Sequence, residues 1–416
     1  MVTVRSYVFV HLPGGPVPAG LLTMTDEPRN KYATFAYGRR YLERANRVSV
    51  DPIALPLHDV RSNQTFRTEE GFAIFGGIRD AAPDGWGQYL MYKAMNDRLP
   101  SEIDLILSSG DHRVGALAFG PTPVQPERIT PWGDEDAPGE YFTLEELADA
   151  TERAQHVDQL DDNLRRLLTA GSSLGGARPK AATDIDGQPW IAKFQARNDS
   201  FPECRVELAT MRLAQECGLN VPPLEFRHVL GRDIYLIKRF DRIDHGGHIE
   251  RRPFASGLTM LGAHESEVSL YSYADLAAVL RQHGTQVRDD LYELFRRMLF
   301  NILVTNDDDH LRNHGFLFDG DGWRLSPLYD VVPKPQIGLQ RRLVLGVGPN
   351  GRDATLENAM AGAASFDIGP EDAKAIVREM RAIVADRWEA LFRDADLSHA
   401  DRKRFATCFR LASEDA

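Results

Sequence analysis

The sequence predicts an α+β fold in which strands and helices dominate different regions of the chain. Three observations support this prediction. Short segments with strand character, punctuated by glycine and proline, run from the N-terminus to about residue 75. A β-hairpin and a further strong strand lie between residues 171 and 240. The chain after residue 241 is mainly helical in its pattern.

The first region begins with Val2–Val10, which is rich in Val and Tyr and alternates loosely, as a strand does. Gly14–Pro16 then predicts a turn. Gly85–Asn96 has the pattern of a helix, and Val114–Gly120 has that of a buried strand. We interpret residues 1–125 as a small α+β domain.

A linker is predicted next, over Pro121–Gly139, because this stretch holds five prolines and several acidic residues. Phe142–Leu168 follows with a helical pattern. Its Thr143 and Glu146 form the signature of a capping box, which places the start of the helix.

A β-hairpin is predicted after the glycine-rich stretch Gly171–Lys180. Asp184–Gln188 is its polar turn, and Trp190–Phe194 is an apolar strand. Glu203–Glu216 predicts an amphipathic helix, and Arg232–Phe240 predicts a second strong strand.

The last region is helical, and its clearest helices are predicted at Tyr273–Gln282, Asp290–Val304 and Pro370–Phe392. We therefore divide the chain into three predicted regions, residues 1–125, 126–240 and 241–416.

The bulk composition excludes several classes of protein. The net charge of −12 argues against a chain that grips a nucleic-acid backbone by itself, because such binding needs clustered Lys and Arg. Three scattered cysteines without a CxxC pair indicate neither a disulfide framework nor a zinc site, and they favour a reducing cytoplasm. No apolar run approaches the ~20 residues that span a bilayer. The N-terminal apolar run is too short and too broken for a signal peptide.

The strongest chemical signal is the segment Asn306–Phe316, which follows an apolar helix. It holds three consecutive carboxylates, Asp307, Asp308 and Asp309, which repel one another when enclosed. Asp308 and Asn313 are five residues apart. In phosphotransferases that spacing puts a hydroxyl-orienting Asp and a magnesium-binding Asn on one loop. The alternative is a polar loop that caps the helix, since Asn and Asp favour such positions.

A second signal is Asp330, in Leu325–Val332, 22 residues after Asp308. The turn at Asp319–Gly322 predicts a hairpin that returns the chain and brings Asp330 beside the Asp308 loop. An isolated aspartate of this kind is more often a turn residue. Its spacing after the first motif favours a role in the same site.

A third signal joins the glycine-rich stretch to Lys193, which lies in the predicted hairpin. Glycines let backbone N–H groups approach phosphates, although the order of residues is not that of a Walker A loop. Lys193 could pair with the α- and β-phosphates of a nucleotide, with Glu207 of the next helix holding it. The alternatives are a plain turn and an exposed lysine on an edge strand.

Together these segments resemble the HipA-type serine/threonine kinases, the toxins of bacterial toxin–antitoxin pairs. The similarity extends over nearly the whole chain. It rests on SSLGGARPKA (172–181), WIAKF (190–194), LIKRFDR (236–242), TNDDDHLRNHGF (305–316) and LSPLYDVVP (325–333), with VGALAFGP (114–121) resembling the end of the family's N-terminal subdomain.

The resemblance implies a bilobal protein-kinase-like fold with an extra N-terminal α+β subdomain and a mainly helical C-terminal lobe. It implies ATP and magnesium (Mg²⁺) as cofactors. Asp308 would accept the proton of the substrate hydroxyl, with Asp309 as an alternative base, and Asn313 and Asp330 would bind magnesium. Ser173 would be an inhibitory autophosphorylation site, since a phosphate there adds charge where ATP must bind. The residues implied to contact ATP are Ser173, Leu174, Gly175, Gly176, Ala177, Lys180, Lys193, Lys238, Arg239, Phe240, His310, Asn313 and Asp330.

The resemblance also implies partners. These are a HipB-like antitoxin, a protein substrate such as an aminoacyl-tRNA synthetase, and DNA only through the antitoxin; no membrane is expected. Other interpretations stay open. One is a small-molecule kinase, and a second is a catalytically silent co-repressor whose acidic surface suits a basic antitoxin. A third is a metallohydrolase built on Asp307, Asp308, Asp309 and His310, which lacks a second cluster with ligand spacing.

Overall fold

The computed structural model describes residues 2–27, 30–129, 142–156, 164, 176–335 and 340–413. The chain divides into two compact units. Unit 1 comprises Met1–Arg197 and His228–Ala255, and unit 2 comprises Asn198–Arg227 and Ser256–Ala416. The predicted α+β class is confirmed, since both units mix helices and strands. The three-part division predicted from the sequence is finer than this grouping and stays a prediction.

The N-terminal part of unit 1 is built on an antiparallel sheet with the strand order β4-β3-β2-β1-β5. Its helices lie in the connections between the third and fifth strands along the chain. The strands are β1 (Val2–Leu12), β2 (Gly15–Glu27), β3 (Asn30–Tyr37), β4 (Phe66–Arg67) and β5 (Leu117–Gly120), and the helices are α1 (Arg39–Leu42), α2 (Gly76–Asp80), α3 (Gly85–Ala94) and α4 (Glu102–Ser108).

The predicted elements of this part are present with shifted ends. The first strand continues to Leu12, so that Gly15 and Pro16 already belong to β2. The helix predicted to end at Asn96 stops at Ala94, because Asn96 and Asp97 have φ of +55° and +60°. The last strand begins at Leu117 rather than Val114.

The second part of unit 1 packs one helix on a second sheet, in which β6 (Lys180–Ile185), β7 (Gln188–Phe194) and β9 (Arg232–Lys238) are neighbours in that order. Asp186 and Gly187 both have positive φ, which suits the tight turn between β6 and β7. A core that includes Trp190, Leu236 and Leu147 joins this sheet to α5 (Leu144–Ala154).

Helix α5 starts where the sequence predicts, because the capping box of Thr143 and Glu146 is formed. Its described part ends at Ala154, and most of the rest of the predicted helix lies outside the described residues. Residues 130–139 of the predicted linker also lie outside the described residues.

Shorter strands complete this part of the chain. β10 (Arg242–Asp244) and β11 (Ile249–Arg251) pair with each other, while β8 (Leu224–Val229) and β12 (Phe254–Ser256) cross the boundaries between the two units.

Unit 2 is mainly helical and is organised around α9 (Val287–Val304), most of which is buried. The helix begins three residues before the predicted Asp290. A hairpin of β13 (Gly315–Phe318) and β14 (Trp323–Leu325) follows it, as the Asp319–Gly322 turn predicts. The other helices of the unit are α6 (Glu203–Glu216), α7 (Gly257–Met260), α8 (Tyr273–His283), α10 (Leu356–Ala361), α11 (Pro370–Asp394), α12 (His399–Phe405) and α13 (Arg410–Ser413).

Two residues of α9 fix the hairpin and the segment that follows it. The Asp290 carboxylate accepts from the Arg324 guanidinium at 2.8 and 2.9 Å and from the Leu325 N–H at 3.1 Å. Two turns further along, the buried Arg297 donates to the Ser326 carbonyl at 2.6 Å. Because these groups are charged and at most half exposed, the segment after β14 has a well-defined path. Within the described ranges, no helix is both long and apolar enough to cross a lipid bilayer.

Candidate active site

The loop that carries the strongest sequence signal leaves α9 through a sharp change of direction. Thr305 adopts a left-handed conformation with φ of +58°. Its hydroxyl accepts from Arg341 and donates to the Cys408 carbonyl, both at 2.7 Å. Asn306 closes the helix end by donating from its N–H to the Asn301 carbonyl at 2.9 Å. The loop is therefore built on anchored residues, which favours a fixed geometry for the side chains that follow.

The three consecutive carboxylates do not share one environment. Asp309 is buried, and it accepts hydrogen bonds from Tyr273 and, at 2.9 Å, from His314. The side chain of Asp308 is 60% exposed, while that of Asp307 is 29% exposed. Because Asp309 is enclosed by its own partners, an outside hydroxyl group can reach Asp308 but not Asp309, and Asp308 is also more exposed than Asp307. This geometry favours Asp308 over Asp309 as the base.

The electrostatics of the loop make Asp309 an internal anchor. Burial by itself raises the pKa of Asp309, but His314 and the hydrogen bonds from His314 and Tyr273 lower it overall. Burial and the negative charge of Asp309 raise the pKa of the Tyr273 phenol well above 10. The phenol thus stays a donor to a carboxylate that stays ionised. Asn301 extends this network by donating to the Tyr273 hydroxyl at 3.2 Å.

Asn313 closes the loop on itself. It ends a 3₁₀ turn, Leu311–Asn313, and its N–H donates to the His310 carbonyl at 2.9 Å. The side-chain amide is nearly buried and donates to the Asp308 carbonyl at 3.1 Å. This bond fixes the amide and leaves its oxygen, a hard donor that suits Mg²⁺, pointing away from that carbonyl. His310 is half-buried, and its Nδ1 has no hydrogen-bond partner within the described part of the chain.

The segment that carries Asp330 runs antiparallel to this loop. Three hydrogen bonds join them: Ser326 N–H to the Gly315 carbonyl at 2.8 Å, Tyr329 hydroxyl to the Arg312 carbonyl at 2.7 Å, and Lys334 N–H to the Thr305 carbonyl at 3.0 Å. Asp330 lies between the second and the third of these bonds.

Asp330 itself is half-buried and has a left-handed φ of +63°. Such a conformation is uncommon for a residue other than glycine and marks a constrained position. An amide oxygen from Asn313 and a carboxylate from Asp330 match the donors that Mg²⁺ takes beside substrate phosphates. The described residues contain no group of three His, Cys, Asp or Glu side chains placed to hold a metal ion, and the Asn313–Asp330 pair is not a group of that kind.

Lys334 is a charged residue of this site that the sequence analysis did not single out. Its ammonium lies 3.0 Å from a carboxylate oxygen of Asp308 and 3.6 Å from one of Asp307. The signal in the sequence was weak, since the residue sits in a Pro-Lys-Pro stretch just past the Asp330 motif. Its position relative to Asp308 depends on the antiparallel register of the two segments.

In unit 1, Lys193 is buried on β7, a strand that lies between β6 and β9. The alternative of an exposed lysine on an edge strand is therefore wrong. Lys180 is directly opposite Lys193 on β6 and is also buried, and Tyr235 is opposite on β9, with its ring centre 5.8 Å from the Lys193 ammonium. Two buried lysines side by side suit a polyanion. Glu207 is buried on α6, which belongs to unit 2.

The glycine-rich loop is described only in part. Ser173, Leu174 and Gly175 lie outside the described residues, and Ala177 is exposed. Gly176 is held from both sides by residues at the start of α3: its N–H donates to the Asp84 carboxylate, and its carbonyl accepts from the Trp86 N–H at 2.9 Å. The end of the predicted phosphate loop is thus attached to the N-terminal part of unit 1.

Three of the residues implied to contact ATP follow one another at the end of β9, and their environments differ. Lys238 and Phe240 are half-buried. Arg239 is buried, and its guanidinium donates to the carbonyls of His112 and Arg113 at 2.6 and 2.9 Å and to Asp241 at 2.8 and 3.0 Å. Any contact of Arg239 with ATP would therefore be made by its main chain.

Asp241 is the centre of this second network, which sequence analysis missed. It is fully buried and accepts from Arg239, Arg242 and the Gly115 N–H. Burial by itself raises the pKa of Asp241, but the two arginines lower it overall, so the carboxylate is ionised. This ion cluster joins the segment between β9 and β10 to the segment before β5, and its role is structural.

Comparison with known proteins identifies the family. Residues 172–388, about half of the chain, match the HipA-like C-terminal domain. The chain belongs to the HipA-like kinase family. The resemblance expected from the sequence is therefore confirmed.

Individual relatives are distant in sequence. The chain is 27% identical over 325 residues to the Sinorhizobium fredii protein named "Putative kinase Y4mE", covering 72% of this chain and 71% of that protein. It is 28% identical over 146 residues to the serine/threonine-protein kinase toxin HipA of Shewanella oneidensis, covering 30% of this chain and 33% of that toxin. A solved complex of Shewanella oneidensis HipA, HipB and operator DNA contains a chain of the same fold, with a TM-score of 0.69 at 16% identity, over 97% of this chain and 95% of that chain.

Proposed function

We propose that this HipA-like protein is an ATP- and Mg²⁺-dependent serine/threonine protein kinase, and the toxin of a toxin–antitoxin pair. The observation that carries the proposal is the separation of the three carboxylates of the loop. Asp309 is buried and hydrogen-bonded, whereas Asp308 is exposed beside Asn313 and the Asp330 segment. A loop that only capped a helix would not need a buried, hydrogen-bonded carboxylate directly after an exposed one.

The proposed reaction transfers the γ-phosphoryl group of ATP to a Ser or Thr hydroxyl. The hydroxyl oxygen forms a bond to the γ-phosphorus, and the bond from that phosphorus to the β–γ bridging oxygen breaks, with its electron pair leaving on ADP. The hydroxyl proton goes to the Asp308 carboxylate. Asn313 and Asp330 would hold Mg²⁺, which neutralises the phosphate charge when bound.

The phosphate contacts are assigned to Lys193, Lys180 and the glycine-rich loop. Two adjacent buried lysines on β6 and β7 supply positive charge, and the fixed Gly176 supplies a backbone attachment for the loop. Autophosphorylation of Ser173 would add close to two negative charges to this loop, and we expect it to inhibit ATP binding.

The partners are proposed from the family. The Shewanella oneidensis relative was solved with HipB and operator DNA, so we expect a HipB-like antitoxin to bind this chain and to provide the contact with DNA. The net charge of −12 suits a basic antitoxin and does not suit direct binding of DNA. The protein substrate is expected among the components of translation, such as an aminoacyl-tRNA synthetase.

The test is incubation of the purified protein with γ-labelled ATP, Mg²⁺ and cell lysate, followed by separation of proteins from small molecules. A labelled protein band, identified by mass spectrometry, supports the proposal. Label found only in small metabolites contradicts it and favours a small-molecule kinase. Absence of both label transfer and a thermal shift with Mg·ATP contradicts the kinase proposal and favours the silent co-repressor.

A further inference from the structure

Lys334 is attached to the catalytic loop in two independent ways. Its backbone N–H donates to the Thr305 carbonyl at 3.0 Å, and its ammonium pairs with Asp308 at 3.0 Å and with Asp307 at 3.6 Å. The backbone bond fixes the position of residue 334 independently of the side chain. The flexible four-carbon stem lets the ammonium move by a few ångströms while it stays beside the loop.

As a surface ion pair, this contact would matter little. The side chains of Lys334 and Asp308 are 47% and 60% exposed, and pairs of this kind contribute little to stability. Stability therefore gives no reason for a lysine here. What distinguishes the pair is its location, because the carboxylate it contacts is the one that must meet both the acceptor hydroxyl and the incoming γ-phosphate.

We propose that Lys334 is a catalytic cation that contacts the transferring γ-phosphoryl group. This inference rests on the proposed kinase function and assigns it one more residue. Before transfer, the ammonium holds the Asp308 carboxylate in place. During transfer, it donates a hydrogen bond to an oxygen of the γ-phosphoryl group as the bond to ADP breaks and the hydroxyl oxygen bonds to phosphorus. Lys334 keeps its own protons, and Asp308 takes the hydroxyl proton.

The charge pattern explains why this position needs a cation. Asp307 and Asp308 put two exposed or half-exposed carboxylates where a polyphosphate must approach, and like charges repel. An ammonium at 3.0 Å offsets part of this repulsion. Asp309 does not add to this repulsion in the same way, because its carboxylate is hydrogen-bonded within the buried network of His314 and Tyr273.

Lys334→Ala tests the proposal in two assays. The first assay compares phosphate transfer by the variant with that of the wild type. We expect the kcat of Lys334→Ala to be lower by about 100-fold, the size of effect seen when one donor to a transition state is removed. The KM for ATP should change by less than about threefold, because the contact strengthens only in the transition state. In the second assay, binding of Mg·ADP with AlF₄⁻ should weaken by about 100-fold, while binding of Mg·ADP alone stays near the wild-type value.

Lys374→Ala is the matched control, since Lys374 is an exposed lysine of unit 2 that pairs with Glu371 at 2.8 Å. It should leave both assays unchanged. Lys334→Arg keeps the positive charge and should recover part of the lost kcat. The unfolding midpoint of Lys334→Ala should stay within about 2 °C of wild type, since the contact with Thr305 is made by the backbone.

The outcomes separate this inference from the proposed function. An active wild type with a Lys334→Ala variant of equal kcat and equal AlF₄⁻-dependent binding overturns the role of Lys334 alone. Equal losses in Mg·ADP binding, Mg·ADP·AlF₄⁻ binding and unfolding midpoint would show a structural role and would also overturn it. A wild type that neither transfers phosphate nor binds Mg·ADP overturns the kinase proposal, and this inference with it.

Discussion

The hydroxyl of Tyr329 donates a hydrogen bond of 2.7 Å to the main-chain carbonyl of Arg312. Tyr329 directly precedes Asp330, and Arg312 directly precedes Asn313. One side-chain hydrogen bond therefore joins the backbone next to each of the two proposed magnesium ligands. With the bonds on either side, Ser326 to Gly315 and Lys334 to Thr305, it sets the register between the loop and the segment that returns to it.

Tyr329→Phe should loosen this register without removing a ligand. Loss of the hydroxyl leaves the Arg312 carbonyl without this donor, which should cost about 0.5–1.5 kcal/mol of unfolding free energy. Because Asp330 is then held less precisely, kcat should fall by about tenfold and the Mg²⁺ concentration for half-maximal rate should rise. Urea unfolding and initial rates over a MgCl₂ series measure both effects.

The control for Tyr329→Phe is Tyr292→Phe, in the same unit, where the hydroxyl only accepts from Arg296 at 3.1 Å and the residue is 44% exposed. This variant should behave as wild type in the rate assay. If Tyr329→Phe shows the wild-type dependence on Mg²⁺, the register does not control the Asp330 position.

Asp308→Asn should abolish phosphate transfer while it preserves nucleotide binding. The amide cannot accept the hydroxyl proton, and loss of a general base lowers kcat by about 10²–10⁴-fold. The dissociation constant of Mg·ATP, measured by calorimetry, should stay close to the wild-type value, since the ligand contacts are assigned to other residues. Asp321→Asn, in the exposed hairpin turn, is the control and should keep full activity. Normal turnover by Asp308→Asn would remove Asp308 from the mechanism.

Local sequence patterns were sufficient to predict the elements around this site. The Asp319–Gly322 turn predicts the hairpin, the Thr143–Glu146 capping box predicts the start of α5, and the Asp308–Asn313 spacing predicts one loop. Each of these depends on residues close together in the chain. The ends of helices were less predictable where a left-handed residue terminates them, as at Asn96.

Long-range partners were not predictable in the same way. A run of three aspartates does not reveal that the third is buried, because burial of Asp309 depends on Tyr273, 36 residues earlier in the chain. Likewise, the family resemblance implies that Arg239 contacts ATP, whereas its guanidinium bonds to the carbonyls of His112 and Arg113. Such partners are set by tertiary packing, which a single sequence does not encode in a local pattern.

Asp309→Asn should destabilise the protein in a way that depends on pH. At pH 7 the variant loses charge-assisted hydrogen bonds with His314 and Tyr273, which should cost about 1.5–3 kcal/mol of unfolding free energy. The pKa of Asp309 is lowered in the folded protein from an ordinary value of 3.8. The ionised carboxylate therefore adds stability above that value, and this contribution is lost as the pH falls through the lower folded pKa.

The measurement for Asp309 is urea unfolding of wild type and variant between pH 3 and pH 7. The difference in unfolding free energy should be constant at neutral pH and should shrink below about pH 4. Asp386→Asn, on an exposed position of α11, should show only a small difference over the whole range. A gap between wild type and Asp309→Asn that widens towards low pH would contradict the assignment of Asp309 as an ionised anchor.

Gly85→Ala tests whether the N-terminal part of unit 1 holds the phosphate loop. Gly85 has φ of +39°, and a Cβ there would lie 2.6 Å from the Gly176 carbonyl oxygen and 2.7 Å from the Ala177 Cα. The added methyl group should push Gly176 away from Asp84 and Trp86. If that end of the loop positions the phosphates of ATP, the KM for ATP should rise by about tenfold, with a smaller change in kcat.

Gly231→Ala separates this displacement from backbone strain. Gly231 has φ of +75° in the same unit, so alanine is strained there too, but its Cβ would meet no atom within 4 Å. Both variants should lose about 1 kcal/mol of unfolding free energy, and only Gly85→Ala should raise the KM. Asp84→Asn offers a second route, because it weakens the acceptor for the Gly176 N–H without adding an atom. Asp84 and Trp86 are the residues that bond to Gly176. If Gly85→Ala and Asp84→Asn both have the KM of wild type, ATP binding does not depend on this attachment.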